Sequence, residues 1–160
     1  MKNNKINFTA LKFILRVFCY IKNIRIMIMI WGHKMNIILT STGFENTKAL
    51  DKIKRIINIP FENLNMLVIP TARKYEYRKE KYLKDYINLG FKKKNVYFFD
   101  DEKPDLYRNL HIDLLYVCGG NTFLLKDCLQ KSNFEKDIIN YVKNRSNIFR
   151  SKCWNTYCYF

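Results

Sequence analysis

Histidine, proline and glycine are scarce in this chain: two, three and five in 160 residues. Few Pro and Gly beside abundant Ile, Leu, Phe and Tyr exclude a disordered or low-complexity polypeptide and leave a globular one, long enough for one domain with a modest core. His33 and His111 have no partner at ligand spacing, so no metal centre is supported and no cofactor is expected. The cysteines (19, 118, 128, 153 and 158) are odd in number and form no Cys-x-x-Cys pair. That argues against a disulfide framework and for reduced thiols in a cytoplasm. Long apolar runs are missing as well. The longest uncharged one, Ile26 to Gly32, is far too short for a membrane span.

Acidic residues are also few, 14 against 29 Lys and Arg, giving a net charge of +15. Such an excess usually points to nucleic acid or an anionic membrane surface. Its distribution argues otherwise. Residues 1–34 contain no acid and carry +7; beyond Asp137 there is again no acid, and the last cations add +4. The stretch 35–142 is left with +4 and both signs mixed. By this reading the middle is an ordinary Lys-rich domain, with no nucleic-acid partner expected, while homodimerisation stays open.

Residues 1–34 are expected to lie outside the domain, as a basic apolar extension from a start codon placed too early. A membrane-surface helix over Phe8–Trp31 and a partner-binding helix are the other readings. The domain is expected to open at Met35 and to run to residue 149.

Within it, short apolar runs alternate with amphipathic stretches. Ile37–Leu39, Met66–Ile69, Val96–Phe99 and Leu114–Cys118 read as buried strands. Asn46–Ile57, Tyr75–Leu89, a short Pro104–Leu110, Thr122–Gln130 and a stretch marked by Phe134, Ile138 and Val142 read as helices, with Gly90 ending the second. Strands separated by helices in this rhythm predict an α/β fold: a doubly wound, mostly parallel sheet with helices on both faces. Ligands of such sheets bind beyond the carboxyl ends of the strands. The informative loops are therefore 40–43, 70–73, 100–102 and 119–122.

The sharpest motif is the run from Leu115 to Leu125, in which an apolar strand meets Gly119-Gly120-Asn121-Thr122-Phe123. Two glycines let the chain turn tightly and expose bare backbone. Their N–H groups beside a helix N-terminus could face negative charge, as an oxyanion or carboxylate cradle. A plain strand-to-helix turn capped by Asn121 or Thr122 accounts for the same residues.

This pentamer resembles the GGNTF signature of the dipeptidase E (α-aspartyl dipeptidase) family, of class I glutamine-amidotransferase-like fold. Ile38–Phe44 and Val68–Ala72 resemble that family's first and second strand–loop units. The resemblance implies a serine peptidase acting on small peptides, often with an N-terminal aspartate. It implies a nucleophile in a Ser-Ala-Gly turn about thirty residues after the pentamer, and a histidine further on. It also implies a cradle at Gly119, Gly120, Asn121 and Thr122, with Ser41, Thr42, Gly43 and Thr71 on bordering loops.

The chain departs from this pattern where the nucleophile is expected: Arg150-Ser151-Lys152-Cys153-Trp154 stands there, without Ser-Ala-Gly, and no histidine follows. The expectation is a truncated or frameshifted member without activity, with residues 150–160 out of frame. If Ser151–Asn155 is encoded AGT AAG TGC TGG AAC, reading one base later yields Val-Ser-Ala-Gly. Other codons at Lys152 or Cys153 in the coding DNA would remove that explanation. A non-catalytic module binding a small ligand or partner, and a basic membrane-surface or nucleic-acid-binding protein driven by the net charge of +15, are the alternatives. Ser41, Cys118 and the acidic run Asp100–Glu102 are read as a loop hydroxyl, a buried small side chain and a solvated strand end.

Overall fold

A computed structural model describes residues 26–31, 35–40, 44, 47–70, 79–119, 121–143 and 147–151. In chain order these form β1 (Ile26–Trp31), β2 (Met35–Thr40), α1 (Thr47–Ile57), β3 (Met66–Ile69), α2 (Lys79–Asn88), β4 (Val96–Phe98), α3 (Asp105–Arg108), β5 (Leu114–Val117), α4 (Thr122–Lys131), α5 (Glu135–Lys143) and β6 (Asn147–Ser151). The six strands make one sheet in the order β1-β2-β6-β5-β3-β4. All neighbours are parallel except β1, which runs antiparallel to β2 at the edge. The fold is α/β, as the alternation of apolar runs and amphipathic stretches predicts.

Period-two alternation sends the side chains of β3 and β5 to two cores. Ile38, Met66, Val68, Phe98, Leu114 and Tyr116 pack with Ile53 and Ile57 of α1 and Tyr86 of α2. Leu67, Ile69, Leu115 and Val117 pack on the other face with Tyr107, Leu125, Leu129 and Tyr141, from α3 to α5. Chain direction explains this division. The crossovers β2-α1-β3 and β3-α2-β4 move one way along the sheet, and β4-α3-β5 and β5-α4-α5-β6 move back. Because parallel crossovers are right-handed, reversing direction puts the later helices on the opposite face.

Three helices end on left-handed residues. Gly90, at φ 108°, follows α2; its N–H donates to Ile87 O at 2.9 Å and that of Phe91 to Tyr86 O at 3.1 Å. This is the two-bond cap that a C′ glycine permits. Asn133 (φ 55°) closes α4 through the same pair of bonds, to Gln130 and Leu129, and Asn58 (φ 51°) closes α1 with a single bond to Lys54 O. Asparagine tolerates this region better than other side chains.

Aromatic residues fill both cores. On the α1–α2 face, Phe61 stacks on Phe91 with centroids 4.6 Å apart, and Phe44 meets both edge-on. On the other face, fully buried Phe134 lies 4.3 Å from Phe99 and packs against Tyr107 and Tyr141. The Tyr107 hydroxyl donates to Phe98 O at 2.7 Å, and the Tyr141 hydroxyl donates to Tyr107 O. Burial, with a smaller push from Asp137, raises the Tyr141 phenol to about 12, so it stays a neutral donor.

Two segments beside the expected domain boundaries join the sheet. Residues 26–31, helical in one reading of the sequence, form β1, with Ile26 opposite Thr40 and Trp31 opposite Met35. The alternating Ile-Met-Ile-Met pattern fits a strand as well as a helix turn, and pairing with β2 decides it. Arg150 and Ser151, expected beyond the domain, complete β6, whose two apolar residues gave too short a run to read. The remaining expected strands and helices recur with ends shifted by a few residues. Residues 75–78 of the second expected helix lie outside the described residues.

Candidate functional site

The carboxyl ends of the parallel strands lie together on one edge. β2 ends at Thr40 and β6 at Ser151, and these two are register partners. Arg150 is opposite Val117 of β5, which in turn is opposite Ile69 of β3. The ladder extends past the strands: Cys118 N–H donates to Ile69 O at 3.0 Å and Phe99 N–H to Val68 O at 2.8 Å. The connection leaving β2 goes to one face and that leaving β5 to the other, with β6 between them. In open α/β sheets, divergence of this kind marks the usual ligand position, a crevice beyond the strand ends.

Gly119 is buried just past the carboxyl end of β5. Two residues later Asn121, with φ −69° and ψ 112°, is the N-cap of α4. Its side-chain oxygen accepts from Phe123 N–H at 2.9 Å and Leu124 N–H at 3.4 Å. That bond network satisfies two of the helix's first donors and is worth about 1 kcal/mol. The capping role open in the sequence therefore belongs to Asn121, and its carbonyl oxygen is committed to the helix. Thr122 is the first residue of α4. The helix N-terminus, with its partial positive charge, begins three residues after Gly119.

The other expected site residues, Gly120, Ser41, Thr42, Gly43 and Thr71, lie outside the described residues. Their flanks are placed: Thr40 ends β2 on the crevice, and buried Pro70 follows β3. Cys118 is buried in the core on the α1–α2 side, consistent with a packing role. Asp100 accepts from Glu102 N–H at 3.1 Å, closing a turn after β4, and Asp101 and Glu102 are exposed. No three His, Cys, Asp or Glu among the described residues are grouped to hold a metal.

His111 belongs to the opposite edge. Its Nε2 lies 3.0 Å from Asp113 Oδ1, while Asp113 Oδ2 accepts from Asn65 N–H at 2.9 Å. The Asp113 and Leu114 N–H groups donate back to Asn65 O. This clamp ties the starts of β3 and β5 together, the length of the sheet away from Gly119.

What the sequence reading missed here is the strand β6 itself, which ends at Ser151, the residue standing where the resemblance expects a nucleophile. No apolar periodicity marks that strand.

The profile of Peptidase family S51 matches residues 37–149. The chain belongs to that family. The match runs from within β2 to within β6 and leaves β1 and the last two residues of β6 outside. The fold is similar to the crystal structure of a protein assigned as a peptidase E from Listeria monocytogenes EGD-e. The TM-score is 0.57 at 22% identity, over 75% of this chain and 59% of that one. The chain thus spans less than two thirds of that protein's length. No curated protein sequence matches it. No helix among the described residues is long and apolar enough to cross a membrane.

Proposed function

We propose that this chain carries the substrate-cradling part of a serine-type dipeptidase and that this polypeptide does not itself hydrolyse peptides. Its ligand would be a small peptide, often one beginning with aspartate, met in a cytoplasm. The N–H groups around Gly119 and Gly120, beside the positive end of α4, suit the charge that develops on a scissile carbonyl. Ser41, Thr42, Gly43 and Thr71 would border the pocket from the ends of β2 and β3.

The observation that carries this reading is the place of β6 between β2 and β5, ending at the crevice. The family resemblance requires a serine on a sharp turn after such a strand. Here the sequence continues Ser151-Lys152-Cys153-Trp154, without the small Ala and Gly that let a nucleophile turn tightly. His111, at the far edge, cannot act as base there. Loss of the nucleophile or base from a triad costs roughly 10^6 in turnover.

Purified chain is accordingly expected to release no product from aspartyl p-nitroanilide or Asp-Leu above the buffer rate. Turnover abolished by Ser151→Ala would overturn the proposal and make Ser151 the nucleophile. Because Asn121 caps α4 shortly after Gly119, a binding module is the second reading. Thermal stabilisation by Asp-Leu without turnover would be its signature.

A further inference from the structure

The two helical faces differ sharply in charge, which the near-balance of the middle of the chain conceals. Between residues 47–65 and 79–95, which form the α1–α2 face, there are ten Lys and Arg against four acids. Between 99–113 and 118–143, on the α3–α5 face, there are six against eight. Over these described stretches one face therefore carries +6 and the other −2. Every one of the ten cations on the α1–α2 face is exposed. Every ion pair among the described residues, Arg108 with Asp105 and Asp137, Lys131 with Asp127, and His111 with Asp113, lies among the α3–α5 segments. The cations of the α1–α2 face make none among the described residues.

Their spacing gathers them further. Lys48, Lys52 and Arg55 follow i, i+4, i+7 on one stripe of α1, and Lys81 and Lys84 are one turn apart on α2. Both helices cover the same core, and Lys92–Lys94 extend the charge to the start of β4. Like charges on one surface repel each other, and a dense polyanion relieves that repulsion while releasing its own counterions.

We infer that the α1–α2 face binds the phosphate backbone of double-stranded nucleic acid without sequence preference. The chemistry of the face selects this partner. Nine of the ten cations are Lys, which act as point charges and lack arginine's bidentate fork for reading guanine. No exposed aromatic ring stands on the face among the described residues, so single strands find no stacking platform. Among the described residues its exposed large apolar side chains are Ile59 and Ile87, at 44% and 40%, too little to anchor in a bilayer.

The test uses the full chain with a fluorescent mixed-sequence DNA duplex of roughly 20 bp, titrated by anisotropy over a range of KCl concentrations. Two charge-matched triples separate surface from total charge. Lys48→Glu, Lys52→Glu and Lys84→Glu alter the α1–α2 face. Lys103→Glu, Lys126→Glu and Lys136→Glu alter the other. The first triple should weaken binding at least about tenfold and flatten the slope of log K against log salt by about three. The second should change affinity less than about threefold. Equal losses in both triples, or no salt-dependent binding by the wild type, would overturn the inference. Capture by phosphatidylcholine–phosphatidylserine vesicles, lost in the first triple while duplex binding is absent, would overturn it in favour of a membrane surface. Matching Lys→Gln triples, checked by thermal unfolding, separate a loss of binding from a loss of fold.

Discussion

A chain ended at Lys143 should fail to fold cooperatively. The cut removes β6, which alone joins β2 to β5 in the sheet order. Without it, the β1-β2 pair and the β5-β3-β4 group face each other across a gap, and both parallel ladders made by Ile148 to Ser151 are lost. Two strand edges that were internal become open, and such edges invite association with other chains. A domain of this size has a margin of about 5–15 kcal/mol, which the loss of a central strand readily exhausts. Urea titration followed by circular dichroism should show a sloping line in place of a sigmoid. A sigmoid with an unchanged midpoint would mean that β6 is not central.

Phe134→Ala should destabilise the full chain by about 3–5 kcal/mol. The ring is fully buried, and Phe99, Tyr107 and Tyr141 pack around it, so truncation leaves a cavity that three large neighbours cannot close together. It also follows Asn133, whose left-handed turn brings the chain from α4 into α5. For a urea slope of about 2 kcal/mol per molar, the midpoint should fall by roughly 2 M with little change in slope. Phe123→Ala supplies the contrast. That ring is 63% exposed and its loss should cost under about 0.5 kcal/mol. Equal midpoint shifts for the two variants would show that the second core is not centred on Phe134.

Much of this architecture was legible in the sequence because most elements declare themselves locally. Met66–Ile69 and Leu114–Val117 are solid apolar runs, as strands covered on both faces must be. Leu50, Ile53 and Ile57 repeat at helical spacing, and Gly90 marks a helix end by the one backbone conformation it favours. The glycine pair announced a turn at a strand's carboxyl end. Its capping residue was narrowed only to Asn121 or Thr122, since either side chain can cap a helix beginning one residue later and local geometry chooses between them.

Other features had no local signature. Ile26–Trp31 suits a helix or a strand until β2 lies beside it. Asn147–Ser151 has two apolar residues, and becomes a central strand because parallel neighbours on both sides take up its backbone bonds. The segregation of charge was invisible for a similar reason. A sum along the chain is indifferent to handedness, whereas right-handed crossovers that reverse direction send the lysine-rich helices to one face and the acid-rich ones to the other.

The sequence by itself determined the alternation of strands and helices, the turn at Gly119–Asn121 and the family kinship, because each resides in residues adjacent along the chain. Tertiary structure alone decided that β6 enters between β2 and β5, that His111 stands at the edge away from the crevice, and that one face is strongly basic. Those depend on which distant segments become neighbours, and backbone pairing and the handedness of the crossovers set that when the chain closes on itself.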